Sequence, residues 1–287
     1  MHASALSPAD VWTSWGGEPG VIVAIAVAAA AYASGVRALW RRAGVGRGVP
    51  RWRVTAFSAG LATIAIALLS PLDALGETLF SAHMVQHLLL MMLAPPLLVL
   101  GMPHVAAAWL LPPRRLTWLR QRHATRGLLA VWHGATTWPF ALGSSTAALW
   151  LWHAPRLYTL ALERPWVHAL EHLSFIATAI LLWWRILLPR HERRSAYAIG
   201  VLLLLATSME SGALGAVLAF AREPWFPIQA AGARAWGITP LEDQQLAGLI
   251  MWVPGGLFYI AAAGALFATW LANHRAPSNV AVSGGIP

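Results

Sequence analysis

The stretch HMVQHLLLMMLAPPLLVL, residues 83–100, decides the fold of this chain. It carries no formal charge, and Leu, Met and Val make up most of it. A helix over these residues is about 27 Å long, since each residue adds about 1.5 Å, and the hydrocarbon core of a bilayer is about 30 Å thick. We therefore predict a membrane-spanning helix here.

The same stretch also carries polar groups that a plain membrane span avoids. His83 and His87 are four residues apart, so they share one helical face, and Met91 continues that face one turn deeper. Two imidazoles and a thioether suit a soft or borderline metal such as copper. The alternative is that the histidines lie at the headgroup level and the methionines fill gaps in helix packing.

Composition places the whole chain in a membrane. Of its 287 residues 58% are hydrophobic and 11% are charged, whereas about 25% of a soluble domain is charged. The net charge of +9 comes from arginines that lie in short loops between apolar runs. Membrane topology explains them better than nucleic-acid binding, so no nucleic-acid partner is expected. The chain has no cysteine, which leaves histidine and methionine as ligands for any soft metal.

Apolar runs recur along the chain and predict an all-α, polytopic membrane bundle of about seven transmembrane helices. The weakest is the fourth, which Pro139 and Gly143 interrupt. Residues 1–19 are expected to form an extracytoplasmic segment without a signal-peptide pattern, 20–272 the membrane domain, and 273–287 a disordered cytoplasmic tail. The predicted runs are 20–40, 54–69, 83–100, 135–153, 167–188, 196–221 and 246–271.

Arginine placement predicts the orientation of the bundle. Sixteen of the 20 arginines fall on one side of the predicted spans. Positive residues stay in the cytoplasm, so the N-terminus is expected outside and the C-terminus inside a bacterial inner (plasma) membrane. The cytoplasmic set is Arg37, Arg41, Arg42, Arg47, Arg51, Arg53, Arg114, Arg115, Arg120, Arg122, Arg126, Arg185, Arg190, Arg193, Arg194 and Arg275; the outer set is Arg156, Arg164, Arg222 and Arg234.

This orientation brings five histidines to one leaflet. His83 and His87 begin the third run, His153 ends the fourth, and His168 and His172, again four apart, begin the fifth. Ionisable groups inside a membrane are functional candidates by default, so we predict a metal site at the outer face. The other histidines, in the tails, the loops or near cytoplasmic ends, are His2, His104, His123, His133, His191 and His274.

Carboxylates supply possible accessory groups. Asp73 is expected to accept a hydrogen bond from a ligating imidazole, whereas an ordinary solvated carboxylate is favoured for Glu77. Glu171 lies between the paired histidines and is predicted to point to a different face. Glu210, beside Met209 in the sixth run, must be neutral or paired and suits a proton or cation path.

Four blocks follow one another along the chain, namely FSAHMVQHLLL (80–90), WHAPRLY (152–158), HALEH (168–172) and EDQQLAGLIMW (242–252). In this collinear order they resemble the CtaG family of multi-spanning bacterial cytochrome c oxidase assembly factors. The resemblance implies a part in the maturation of haem–copper oxidases, with copper handling as the usual inference. The motif histidines show no departure from the family pattern. The first run and the arginine-rich loops carry no motif, so no role is transferred to them.

Residues and resemblance together predict an assembly factor that is not an enzyme and that delivers copper to a haem–copper oxidase subunit within membrane lipid. The expected ligands are His83, His87, His168 and His172, with His153 as a fifth ligand or the one that admits the ion. Met91 would ease Cu(I) inward. One alternative is an intramembrane zinc-dependent hydrolase with Asp73 as base. The other is a haem-binding electron carrier with one axial histidine from each pair.

Overall fold

The computed structural model describes residues 7–111, 123–188 and 194–275. In these ranges every regular element is helical, as predicted, with short 3-10 turns at Val11–Thr13 and Pro227–Gln229. The helices are α1 (Pro19–Ala43), α2 (Arg51–Leu69), α3 (Pro71–Thr78), α4 (Phe80–Leu100), α5 (Pro103–Ala108), α6 (His123–Ala135), α7 (Trp138–Trp152), α8 (Pro155–Glu163), α9 (Pro165–Leu187), α10 (Arg194–Ala219), α11 (Ala230–Ala235) and α12 (Pro240–Arg275).

Six of the described helices are long and apolar enough to cross a bilayer, namely α1, α2, α4, α9, α10 and α12. The chain is therefore a membrane protein. The fourth predicted run forms α7, which has 15 residues and is about 22 Å long. It is shorter than predicted because Pro139 lies in the first turn, a position that favours a helix start.

Helix α4 is the central helix of the bundle. Of its apolar window 67% is buried, compared with 17–39% for the other five candidate spans. It packs against α2, α3, α9 and α12. The polar side chains of α4 therefore face protein rather than lipid.

A π-helical turn, Leu89–Leu93, interrupts α4 just before two prolines. Pro95 and Pro96 have no N–H, so neither can donate to the carbonyl of Met91. The indole Nε1 of Trp183 donates to that carbonyl instead, at 3.2 Å. This hydrogen bond satisfies a backbone group that a bilayer would otherwise leave unpaired.

Both ends of α4 are held by side chains from other helices. The buried carboxylate of Asp243, in α12, accepts hydrogen bonds from the backbone N–H groups of Phe80 at 2.7 Å and Ser81 at 3.0 Å. At the opposite end the guanidinium of Arg53 donates to the carbonyl of Leu100 at 2.8 Å. These contacts set the depth of α4 and hence of its histidines.

Short elements cover the N-terminal end of α4. The hydroxyl of Tyr158, in α8, donates to Oε1 of Gln229 at 2.7 Å, and Nε2 of Gln229 donates to the carbonyl of Gly76, in α3, at 2.6 Å. Helix α11 also packs against α3. A layer of short segments thus lies above the first turns of α4.

The arginine side of the bundle is described in part. The Arg42 guanidinium lies 5.6 Å from the centre of the Trp109 ring, at the end of the bundle where Arg53 meets Leu100. The predicted orientation and the number of crossings stay predictions. Helix α12 extends to Arg275, beyond the predicted end of the membrane domain at residue 272. Arg114, Arg115, Arg120, Arg122, Arg190, Arg193, His2, His191 and tail residues 276–287 lie outside the described residues.

Candidate metal centre

Four histidines from two helices form one cluster, which we call the histidine cluster: His83 and His87 of α4, and His168 and His172 of α9. The ring centres of each pair lie 4.2 Å apart. Across the two helices the distance is 5.4 Å from His83 to His168 and 5.5 Å from His87 to His172. Spacing of four residues on two facing helices is what brings the rings together.

The histidine cluster is enclosed by protein. The exposed fraction is 0% for His83, 2% for His87 and 7% for His172, whereas His168 is half-buried. His168 lies one turn nearer the beginning of α9 than His172. An ion entering from that end would therefore meet His168 first.

Glu171 lies inside the cluster, and the prediction that it points to a different face is wrong. Its Oε1 is 3.9 Å from Nε2 of His83 and 3.7 Å from Nε2 of His87, and the side chain is fully buried. The physical reason is helical spacing, because residues three apart, such as His168 and Glu171, share a face. Glu171 brings the negative charge that a bound cation needs.

Six of the eight ring nitrogens of the cluster, and both carboxylate oxygens of Glu171, are buried without a hydrogen-bond partner among the described residues. Buried polar groups are almost always paired, so a concentration of unpaired ones needs an explanation. Imidazole nitrogens and carboxylate oxygens left free in this way are the atoms that a metal ion binds. The unpaired atoms are Nδ1 and Nε2 of His83 and His87, Nε2 of His168 and His172, and both carboxylate oxygens of Glu171.

Two overlapping sets of three ligands have the spacing that an ion requires. One is His83, His168 and His172; the other is His83, His87 and Glu171. In each set the ligand atoms lie within 4.8 Å of one another. Nitrogen ligands with one carboxylate suit borderline ions such as copper and zinc.

His153 borders the cluster without joining either set. Its ring centre is 6.2 Å from that of His87. Its Nδ1 contacts the carbonyl of Leu149 at 2.7 Å, and its Nε2 lies 3.3 Å from Sδ of Met84. The predicted fifth ligand therefore faces a thioether rather than the other imidazoles.

Asp73 does not contact an imidazole, so the predicted hydrogen bond to a ligand is wrong. Its Oδ1 accepts a hydrogen bond from Nε2 of Gln86 at 2.7 Å, and the same Nε2 also donates to the carbonyl of Ala67 at 2.9 Å. Burial raises the pKa of Asp73 to about 6. Asp73 thus positions the residue next to His87, while Glu77 is exposed, as favoured above.

The other predicted accessory residues separate into two groups. Met91 and Glu210 line a cavity that begins at His87 and His153. Met209, also a possible accessory residue, instead has 75% of its surface exposed and does not line this cavity. Adjacent residues of a helix point about 100° apart, and Glu210 takes the inward direction.

The close ring contacts favour an ion over haem. His83 and His168 are stacked with an interplanar angle of 18° and centres 5.4 Å apart. The Tyr158 ring packs 5.2 Å from His83, and Phe175 packs 4.7 Å from His87. Rings this close do not leave a slot for a porphyrin between α4 and α9.

Some residues that shape the site were not recognised from the sequence. Glu171 was recognisable from its spacing of three from His168. The role of Asp243 was not, because its partners Phe80 and Ser81 are more than 160 positions away. Its neighbours in the same sequence block also bind backbone, since Oε1 of Gln244 accepts from the N–H of Trp225 at 2.6 Å. This block therefore has a structural role.

A profile of the cytochrome c oxidase caa3 assembly factors (Caa3_CtaG) matches residues 30–273, which include every cluster residue. The chain belongs to this family. The four segments that resemble the family lie in α4, at the junction of α7 and α8, in α9 and in α12, and two of them, in α4 and α9, carry the histidine cluster.

Relatives among curated proteins are mycobacterial and uncharacterized. A protein of Mycobacterium bovis is 28% identical over 271 residues, covering 90% of this chain and 39% of the relative. A protein of Mycobacterium leprae is 26% identical over 243 residues, covering 79% of this chain and 35% of the relative. The chain thus spans about two fifths of the length of these relatives. No solved structure matches it.

Proposed function

We propose that this assembly factor binds copper at the histidine cluster and delivers it to a haem–copper oxidase subunit in the bacterial inner membrane. The role is non-catalytic, and the copper ion is the cargo. One observation carries the proposal: three buried histidines, the half-buried His168 and the buried Glu171 gather at one end of the bundle, and each has a ligand atom without a hydrogen-bond partner in the described ranges.

The arrangement suits an ion that must be released as well as captured. Overlapping sets of three ligands share His83, so an ion can exchange one ligand at a time without leaving the cluster. The half-buried His168 provides the side from which an ion enters. Delivery within the membrane also suits a recipient subunit whose own metal site is buried there.

Copper content of the purified full chain tests the proposal. The double variant His83→Ala/His87→Ala removes one histidine pair and should bind copper at least ~100-fold more weakly, since even outer-shell changes cost about 10–100-fold. The matched control is His104→Ala/His133→Ala, which removes two histidines from α5 and α6. Equal copper content in both double variants would contradict the proposal.

Oxidase from cells that lack the protein provides a second test. Such cells should still make the oxidase polypeptides and insert haem, while the enzyme is short of copper. Cells with His172→Ala should behave in the same way, provided the variant accumulates in the membrane, because loss of a buried side chain also destabilises a bundle. A full copper complement in oxidase from the deletion strain would exclude copper delivery.

Glu171 supports a second candidate function, a zinc-dependent hydrolase. Such enzymes use three protein ligands, a metal-bound water and a carboxylate base. Glu171 is better placed for that part than Asp73, because it lies within 4 Å of two imidazoles, whereas Oδ1 of Asp73 accepts a hydrogen bond from Gln86. Metal analysis of protein purified without added metal separates the candidates: copper supports delivery, whereas zinc together with lipid hydrolysis that Glu171→Gln abolishes supports the enzyme.

A further inference from the structure

A cavity lined by soft ligands continues from the histidine cluster toward the middle of the bundle. Four of the seven methionines of the chain line it, contributed by α4 and α12. His87 and His153 line the cavity where it meets the histidine cluster, and Glu210 also lines it. The methionines are Met84, Met91, Met92 and Met251.

The contact between His153 and Met84 is the point where the cluster meets the cavity. A carbonyl only accepts hydrogen bonds, so the 2.7 Å contact from Nδ1 to the carbonyl of Leu149 places the proton on Nδ1. In a neutral imidazole the lone pair of Nε2 then faces Sδ of Met84, 3.3 Å away. Both Nε2 and Sδ can donate an electron pair, so their close approach favours a cation bound near both atoms.

The π-helical turn of α4 supplies two of the thioethers. Met91 and Met92 both line the cavity, although consecutive residues of a regular α-helix point about 100° apart. Both belong to the π-helical turn Leu89–Leu93. A feature that departs from regular helix geometry therefore places two soft ligands in one space, and π-helical turns are frequent at functional sites.

The lining of the cavity also includes polar residues from α7 and α10. Oε2 of Glu210 accepts a hydrogen bond from the hydroxyl of Thr146 at 2.5 Å, while Oε1 is buried without a partner among the described residues. Hydroxyl groups of Ser145 and Ser211 also line the cavity. The carboxylate offers a charge that partly offsets that of a monovalent cation.

We propose that this methionine cavity is a second copper site, selective for Cu(I), that takes the ion from the histidine cluster. Thioethers are soft ligands, which favour Cu(I) over zinc. The ion passes by ligand exchange, from imidazole to thioether, and remains Cu(I), so no electron moves. The inference rests on the proposed function only in that the cluster supplies the ion.

The first experiment counts ions bound by the purified full chain in detergent, under anaerobic and reducing conditions. Unmodified protein should bind one more Cu(I) than Zn(II), because zinc fills the cluster alone. The variant Met84→Leu/Met91→Leu/Met251→Leu keeps side-chain volume and should lose one Cu(I), with Zn(II) unchanged. The control Met209→Leu, on the exposed side of α10, should bind as the unmodified protein does.

A histidine variant separates this inference from the proposed function. His168→Ala/His172→Ala, which changes two cluster residues that do not line the cavity, should lose the Zn(II) and the cluster-bound Cu(I) but retain the Cu(I) held by thioethers. If the cluster binds no copper while the methionine-dependent Cu(I) remains, the proposed function fails and the second site stands. If the triple methionine variant binds as much Cu(I) as unmodified protein, the second site is overturned.

Selenomethionine labelling tests the site without any substitution, which matters if the triple variant does not accumulate. X-ray absorption at the selenium edge of Cu(I)-saturated protein should show copper as a neighbour of selenium. The same measurement on Zn(II)-saturated protein should show no metal neighbour. Selenium without a copper neighbour at full Cu(I) loading would overturn the proposal, and the methionines would then be packing residues only.

Discussion

Glu171 places a negative charge beside the imidazoles of the histidine cluster, where it can offset the charge of a bound cation. Four neutral imidazoles alone would leave the full charge of a cation in a buried, low-dielectric space, which is costly. The Glu171 carboxylate, 3.7 Å from Nε2 of His87, offsets one unit of that charge. Glu171→Gln removes this charge and should therefore lower the affinity for divalent ions more than the affinity for Cu(I).

Asp73 supports a prediction of pH dependence, because burial raises its pKa from 3.8 to about 6. The folded chain then binds more protons than the unfolded chain between these values, so ionisation of Asp73 lowers stability as pH rises through this window. Asp73→Asn removes the charge and keeps an oxygen for Gln86. Its melting temperature in detergent should exceed that of unmodified protein at pH 8, and the difference should shrink toward pH 4.

The control for this prediction is Asp10→Asn, because Asp10 is an exposed carboxylate that precedes α1. This variant measures how the loss of an exposed carboxylate by itself changes the melting temperature. A melting-temperature difference for Asp73→Asn that stays constant from pH 4 to pH 8 would mean that the charge of Asp73 does not limit stability.

At the scale of the helix, the position of α4 depends on a cap from a distant part of the chain. Asp243 accepts from two backbone N–H groups at the start of α4, and a hydrogen bond to a charged group typically contributes about 1.5–3 kcal/mol. Asp243→Ala should lower the melting temperature markedly and weaken metal binding, since His83 lies one turn further along α4. Thermal melting and metal affinity of the purified protein measure both effects.

The neighbouring Glu242 provides a matched control. It is exposed, and it accepts a hydrogen bond from the N–H of Thr239 within its own helix end at 2.7 Å. Glu242→Ala should lower the melting temperature only slightly, as the loss of an exposed helix cap does, and leave metal affinity unchanged. If both variants weaken metal binding equally, the cap by Asp243 has no special part in placing α4.

For the whole molecule, the decisive question is which side of the membrane the histidine cluster faces. The distribution of sixteen arginines against four predicts that the N-terminal end of α4 lies outside. A reporter active only outside the inner membrane should be inactive when fused at Arg120 and active at Arg164. The reverse pattern would place the cluster on the cytoplasmic side, and copper would then have to arrive from the cytoplasm.

Local sequence alone determined the membrane helices and the four cluster histidines. Hydrophobic length identifies a span, and spacing of four puts two imidazoles on one face whatever the helix packs against. The same rule, applied to spacing of three, would have identified Glu171. The bounds of α7 were harder to predict than its existence, because Pro139 affects where that helix begins and not whether it forms.

Only the tertiary structure decided which groups meet across helices. The pairing of His153 with Met84, the cap of α4 by Asp243 and the binding of Gln86 by Asp73 join positions that no local spacing connects. Met209 and Glu210 are adjacent in sequence, yet one faces outward and the other lines the methionine cavity. The physical reason is that a helix's own periodicity defines its faces, whereas its rotation and depth in the bundle are set by the helices packed around it.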